Sequence, residues 1–161
     1  MARAGEARRA VAVALALVVS ACGGSSSTQL ALSVMASPQL NLNQDQQPSP
    51  VVVRIYDLKS TDTFSSAAFF DLYDDDVVKL GGDLLGRKEI AIQPGKTVSF
   101  DREASPDMKA IGVLAAFRVI GTSGWRAWTP VDSGDKNTVV ITLDPNTVAV
   151  SRKKSSFLWI F

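Results

Sequence analysis

The chain has 161 residues, 46% of them hydrophobic, and a formal charge of +1. That is the length of one domain with enough apolar material for a core, and it is too nearly neutral for a nucleic-acid footprint, so no nucleic-acid partner is expected. It has no histidine and one cysteine, which removes the commonest general base, the commonest metal ligand and any internal disulfide.

Residues 1–9 are basic, and residues 10–19, AVAVALALVV, are an unbroken apolar run. A membrane-spanning helix needs about 20 such residues. A basic head, a short apolar run and small residues at Ser20 and Ala21 make 1–21 a secretory signal peptide. Its removal takes away Arg3, Arg8, Arg9 and Glu6 and shifts the net charge from +1 to −1. Val19-Ser20-Ala21-Cys22 fits the bacterial lipobox, whose cysteine takes a diacylglyceryl group and becomes the new N-terminus. An ordinary signal peptide that happens to end at a cysteine is the competing reading. Small residues at both positions before a lone cysteine favour lipidation. Each buried methylene contributes about 0.8 kcal/mol, so one acyl chain holds marginally and two or three hold stably. Gly23 and Gly24 follow, with no aspartate after the cysteine. In Gram-negative lipoproteins that aspartate is the usual signal for retention in the inner membrane. Its absence favours the outer membrane, periplasmic face. Residues 22–29 are then a lipidated flexible tether, which spans roughly 23 Å over residues 23–29 when extended.

A sandwich domain is expected over 30–150. Leu30, Leu32 and Val34 alternate with Ala31, Ser33 and Met35, a strand ending near Ala36. Residues 36–50, ASPQLNLNQDQQPSP, carry three prolines, two asparagines and four glutamines. A connection this long is commonly functional or disordered. Leu40 and Leu42 gain nothing by facing water, so either they fold back onto the domain or a partner covers them.

Residues 50–59, PVVVRIYDLK, form a strand with Val51, Val53 and Ile55 on an apolar face and Val52, Arg54 and Tyr56 on a mixed one. A helix is expected over 64–73, with Phe64, Ala68 and Leu72 in its apolar stripe and Asp62, Thr63 or Ser65 as its cap. Asp74, Asp75 and Asp76 do not match a calcium loop, which alternates its ligands and needs a glycine and a distal glutamate. The preferred reading is a solvated helix end. Strand-like runs follow at 84–92 and 97–101, joined by a type II turn at Pro94-Gly95. Lys109 to Ile120 alternates as a long central strand, with Ile111, Val113, Ala115, Phe117 and Val119 on one face. Trp125 and Trp128 sit in a further strand, where packing is their commoner use. Thr138–Leu143 and Thr147–Val150 complete an all-β, two-sheet sandwich with one added helix. The tail, 151–161, SRKKSSFLWIF, puts a basic stretch before five apolar residues.

With the lipobox, PSPVVVRIYDLKSTDTF, SSAAFFDLYDDD and AIQPGKTV together, the chain resembles the type VI secretion system lipoprotein family (TssJ, also called SciN or VasD) from about Cys22 to Val150. The resemblance implies a transthyretin-like β-sandwich. It also implies an outer-membrane lipoprotein that binds the periplasmic C-terminal domain of the inner-membrane subunit TssM. In that family the contact uses the loop between the first two strands, which places it here on Leu40, Asn41, Leu42, Asn43, Gln44, Asp45, Gln46 and Gln47. The tail after Val150 departs from the family's usual end.

The alternative function is a periplasm-facing lipoprotein holding a small ligand between its sheets, near the tryptophans. An enzyme is not expected. Transthyretin-like hydrolases work with histidines, and no Ser/Lys, carboxylate-pair or phosphate-loop constellation stands out. No catalytic residue, cofactor or metal site is assigned.

Overall fold

The computed structural model describes residues 26–153. Strands β1 (Thr28–Ala36) and β2 (Val51–Leu58) come first, then helices α1 (Asp62–Ser66) and α2 (Phe69–Leu80). Strands β3 (Leu84–Ile92), β4 (Thr97–Ala104), β5 (Ala110–Ala115), β6 (Arg126–Pro130), β7 (Lys136–Leu143) and β8 (Val148–Lys153) follow. They build two four-stranded sheets, ordered β4-β1-β7-β8 and β3-β2-β5-β6. The named pairings are antiparallel except that of β1 with β7, which is parallel.

The period-two patterns explain the layers. Leu30, Leu32 and Val34 of β1 and Val139, Ile141 and Leu143 of β7 face Val51, Val53 and Ile55 of β2 and Ile111, Val113 and Ala115 of β5. All are buried, and each strand in a sandwich contributes every second residue to the core. β2 and β5 are covered on their other face too. There Tyr56, Leu58, Ala110 and Leu114 meet Phe64, Phe69, Leu72 and Leu80 of the helices. Gly112 belongs to this face because a Cβ there would lie 2.8 Å from Leu58 Cδ1 and 3.0 Å from the Phe64 ring. The helix rests directly on the strand where the side chain is missing.

The helical segment is longer than the 64–73 expected and is split. α1 stops at Ser66 and Ala68 is extended, so α2 starts afresh at Phe69. The caps read at Asp62, Thr63 and Ser65 are not used: α1 begins after Thr61 without a side-chain cap, and Asp71 accepts from the Ala68 N–H at 3.3 Å. Arg126 Nη1 donates to the carbonyls of Phe64 and Ala67 at 2.8 and 2.7 Å, which satisfies acceptors that the end of a short helix leaves open.

The solvated helix end read at Asp74–Asp76 is corrected at Asp76. α2 continues to Leu80, so the run lies mid-helix and Asp76 follows Leu72 by one turn on the buried face. Asp74 and Asp75 are exposed, whereas Asp76 is 2% exposed. Arg87 Nη1 donates to both its oxygens at 2.6 Å, and the Tyr56 hydroxyl donates to Oδ2 at 3.1 Å. α2 kinks at Asp75. Arg54 Nη1 donates to the carbonyls of Leu72 and Tyr73 at 3.3 and 2.7 Å, which supplies donors beside the break. Burial, and then the Asp76 charge, push the Tyr56 hydroxyl well above its ordinary value, so it stays a donor. Among the described residues, no group of three or more acidic or cysteine side chains is placed to hold a metal ion.

The long strand read over Lys109–Ile120 ends at Ala115. Phe117 still enters the core, but Val119 is 57% exposed. The type II turn at Pro94-Gly95 is as expected: Gly95 has φ +69° and Lys96 N–H donates to Gln93 O at 3.2 Å. Trp125 packs edge-on against Phe69 with centroids 5.2 Å apart, while Trp128 is 45% exposed on β6.

One ion pair joins the sheets from inside. Asp57 continues the inward face of β2 and takes a bidentate pair of hydrogen bonds from Arg102 of β4. Their side chains are 5% and 19% exposed. Gly86 makes the space, since a Cβ there would lie 2.8 Å from Asp57 Oδ2. Removing one member of such a pair leaves a buried charge uncompensated. Asp57→Ala is expected to lower stability by about 3–5 kcal/mol, read as a fall in the urea midpoint, and Asp57→Leu with Arg102→Leu to recover much of it. A midpoint unchanged in Asp57→Ala would contradict this role.

Candidate partner-binding loop

The segment between β1 and β2 is folded. Ser37 anchors its start: its N–H donates to Leu143 O at 2.8 Å, and its carbonyl accepts from Leu40 and Gly95 N–H, both at 3.1 Å. Leu40 then drops into the inter-sheet core and is fully buried. Asn41 has φ +51°, a left-handed conformation that asparagine tolerates better than most residues. It ties three segments together. Its N–H donates to Pro145 O at 2.7 Å, its side-chain amide donates to Pro50 O at 2.9 Å, and its Oδ1 accepts from Arg118 N–H at 2.8 Å. Ser49 N–H donates to Leu40 O at 3.0 Å and closes the neck.

Beyond the neck, Asn43 shapes the tip. Its side-chain oxygen accepts from the Asp45 and Gln47 N–H groups at 2.9 and 2.8 Å, and its own N–H donates to Gln47 O at 2.9 Å. This is an asparagine doing locally what a backbone turn would do. Gln46 is left-handed at φ +60°. Gln44, Asp45, Gln46 and Gln47 are exposed, while Leu42 and Asn43 are half-buried. Of the eight residues named from the sequence, Leu40 and Asn41 thus face inward and hold the loop. The other six lie where another molecule can reach them.

The tip has neighbours the sequence did not single out. Arg118 and Val119, from the segment after β5, stand beside it. Together with Leu42 to Gln46 they line a concavity of about 640 Å³. A smaller hollow of about 280 Å³ adjoins it, between Leu42, Phe117, Val119 and Pro145. The walls carry one carboxylate, Asp45, one guanidinium, Arg118, and the Thr122 hydroxyl; the rest is amide and apolar surface. Nothing in the sequence marks Arg118 or Val119 as near residue 42. The Asn41 bridge fastens them to the loop.

The strand directions place this site. β1 ends at Ala36 beside Leu143, β2 begins at Val51 beside Ile92, and β5 ends at Ala115 beside Val53. The loop therefore shares one end of the sandwich with the turns 93–96 and 144–147 and the segment 116–125. The chain enters at the other end, where Thr28 is fully buried. Its hydroxyl donates to Ser105 O and accepts from Gly134 N–H, both at 3.0 Å. Cys22, the signal peptide at 1–21 and most of the tail lie outside the described residues. β1 begins at Thr28, inside the segment read as tether, and β8 runs on to Lys153, inside the segment read as tail.

Solved structures contain chains similar to this one. The crystal structure of the T6SS lipoprotein TssJ1 from Pseudomonas aeruginosa matches at a TM-score of 0.76 and 27% identity, covering 80% of this chain and 98% of that one. A chain of the structure described as "Type VI membrane complex" matches at 0.67 and 30%, covering 76% and 97%. A chain of the structure of the T6SS protein TssM C-terminal domain from EAEC matches at 0.64 and 28%, covering 76% and 97%. No curated protein sequence matches the chain. The family model T6SS-SciN, described as "Type VI secretion lipoprotein, VasD, EvfM, TssJ, VC_A0113", matches residues 28–146, most of the described domain. The chain belongs to the type VI secretion lipoprotein family.

Proposed function

We propose that this protein is an outer-membrane lipoprotein, held at the periplasmic face by lipid on Cys22, that binds the periplasmic C-terminal domain of the inner-membrane subunit TssM. The contact is the β1–β2 loop, through Leu42, Asn43, Gln44, Asp45, Gln46 and Gln47, with Leu40 and Asn41 as its internal supports. One observation carries the reading: a loop rich in polar side chains is held in a defined shape at the end of the sandwich opposite Thr28. A shape fixed before binding lowers the ordering cost of association. A chain of this fold in a structure described by the TssM C-terminal domain supports the same partner. Membership of a lipoprotein family and the Cys22 lipobox support the anchor. The role is structural: one end is fixed to lipid and the other to protein. The ligand-carrier alternative gains no support from the inter-sheet space, which Leu32, Val53, Val113 and Ile141 fill.

The loop test separates binding from folding. Replacing Gln44, Asp45 and Gln46 by Ala, Lys and Ala is expected to remove TssM from a pull-down of detergent-solubilised envelope and to leave the urea midpoint where it was. Leu40→Ala is expected to cost about 2–5 kcal/mol of stability instead. A triple variant that still brings down TssM at the wild-type level would rule out the tip as the contact.

The anchor is tested by palmitate labelling. Cys22→Ser is expected to lose the label and to be extracted from membranes by a high-salt wash. An unlabelled variant that survives the wash in the membrane fraction would defeat the lipid reading.

A further inference from the structure

The helices cover the outer face of β2 and β5, whereas the outer face of the β4-β1-β7-β8 sheet carries no helix among the described residues. Leu30, Leu32 and Val34 turn inward, so Ala31, Ser33 and Met35 point out, and Met35 is 46% exposed. The register lays this outer face in rows across the strands. From β4 to β8, one row is Ser99, Ser33, Val140 and Ser151. The next, toward the Thr28 end, is Asp101, Ala31, Thr138 and Lys153, and beyond it lie Glu103, Gln29 and Lys136. The middle of the face is therefore flat and made of small side chains.

Charge is divided across it. β4 contributes Asp101 and Glu103, while β7 and β8 contribute Lys136 and Lys153, and all four are exposed. Glu103 accepts a hydrogen bond from Gln29 at 2.9 Å; Asp101, Lys136 and Lys153 are in no ion pair among the described residues. A face that is acidic along one edge and basic along the other complements itself when turned over about the strand direction. A twofold axis between β1 and β7, parallel to both, sets β4 over β8 of a second copy and β1 over its β7. Asp101 then faces Lys153 of the second copy, twice in the pair, and Ser33 and Ala31 face Val140 and Thr138. Packed sheets twist by about 30° relative to one another, which moves these corners by a distance that a lysine stem covers. Turning the second copy end over end instead sets Asp101 over Ser99 and Lys153 over Ser151, with no opposite charges opposed.

We propose that the outer face of the β4-β1-β7-β8 sheet pairs two copies of this chain face to face about that axis, with Asp101 against Lys153 at both corners. The axis runs along the strands, so the two Thr28 ends stay together and the two β1–β2 loops stay together at the opposite end. Copies held by one membrane adopt this pairing without turning over. Four strands and three row spacings make a patch of about 400 Å² on each copy, against about 800 Å² for a standard interface. The contact is therefore weak between freely diffusing copies and is populated where a membrane concentrates them. It rests on the lipid-anchor reading above for that concentration alone.

The test crosslinks the purified lipidated chain in phosphatidylethanolamine/phosphatidylglycerol vesicles with a short bismaleimide, the lipid occupying the Cys22 sulfur. In the pair the two Ser33 Cα atoms lie roughly 11 Å apart. Ser33→Cys is expected to give severalfold more covalent dimer than Ser65→Cys, whose site is exposed on α1 at the opposite face. Adding Asp101→Lys or Lys153→Asp is expected to lower the Ser33→Cys yield to the Ser65→Cys level, because each sets like charges against one another. Mixing these two charge variants, or placing both changes in one chain, is expected to restore it. A change that merely harmed the fold would not be repaired by a second altered chain. Equal yields at Ser33 and Ser65, or a mixture that stays at the level of the single charge variants, would overturn the proposal, also where the face serves a different protein. The mass of the chain reports separately whether Cys22 carries lipid. If it does not, the same comparisons on the Cys22→Ser chain at millimolar concentration decide the pairing alone.

Discussion

Two adjacent strands that must be covered on both faces set the terms for the rest of the molecule. β2 and β5 present apolar side chains to either side, so one sheet packed against them is not enough. The second sheet covers one face. The other would expose Tyr56, Leu58 and Leu114 without the helices, which is why a two-helix insertion sits between β2 and β3. Its fit is local and steric: Phe64 occupies the space above Gly112, and Phe69 meets Trp125. Arg54, Tyr56 and Asp76 then link strand to helix through hydrogen bonds that repair the backbone break at Asp75.

Polar groups inside this fold pair with one another in small sets. Asp57 faces Arg102 across the two sheets. Asp76 receives Arg87 and Tyr56. Asn137 organises the β6–β7 connection through Asp132 and Asp135. Burying a charge without a partner is costly, so each set fixes a geometry that apolar contacts alone would leave less defined. Asn41 does the same at the far end, where it fastens three segments whose sequences have nothing in common.

Strands whose one face is buried were legible, because alternation is strong there: Leu30-Leu32-Val34 and Val139-Ile141-Leu143 read directly. The Pro94-Gly95 corner was legible because two residues with opposed φ demands specify it. Elsewhere the local pattern was ambiguous. Alternation continues from Lys109 through Val119, yet the sheet ends at Ala115, since nothing in a period of two says where a strand loses its neighbour. Three aspartates in a row look solvated, and only the helix phase shows that Asp76 turns inward. For the loop, composition raised two possibilities for the leucines, and coordinates separate them: Leu40 is core, while Leu42 is half-exposed beside Val119. Arg118 and Val119 were invisible because the contact that brings them near is a side-chain bridge across 77 positions of sequence.

The position of β1 has a mechanical consequence. The chain enters the domain at Thr28, and the candidate contact begins just past Ala36, so both ends of a pull would act on the two ends of a single strand. That strand is hydrogen-bonded on each side, to β4 and to β7, along nearly its whole length. Tension along it would have to shear both ladders at once instead of unzipping one rung at a time. The remaining strands would then act as a sleeve gripping a taut cord, and the sandwich would not need to stretch for force to cross it.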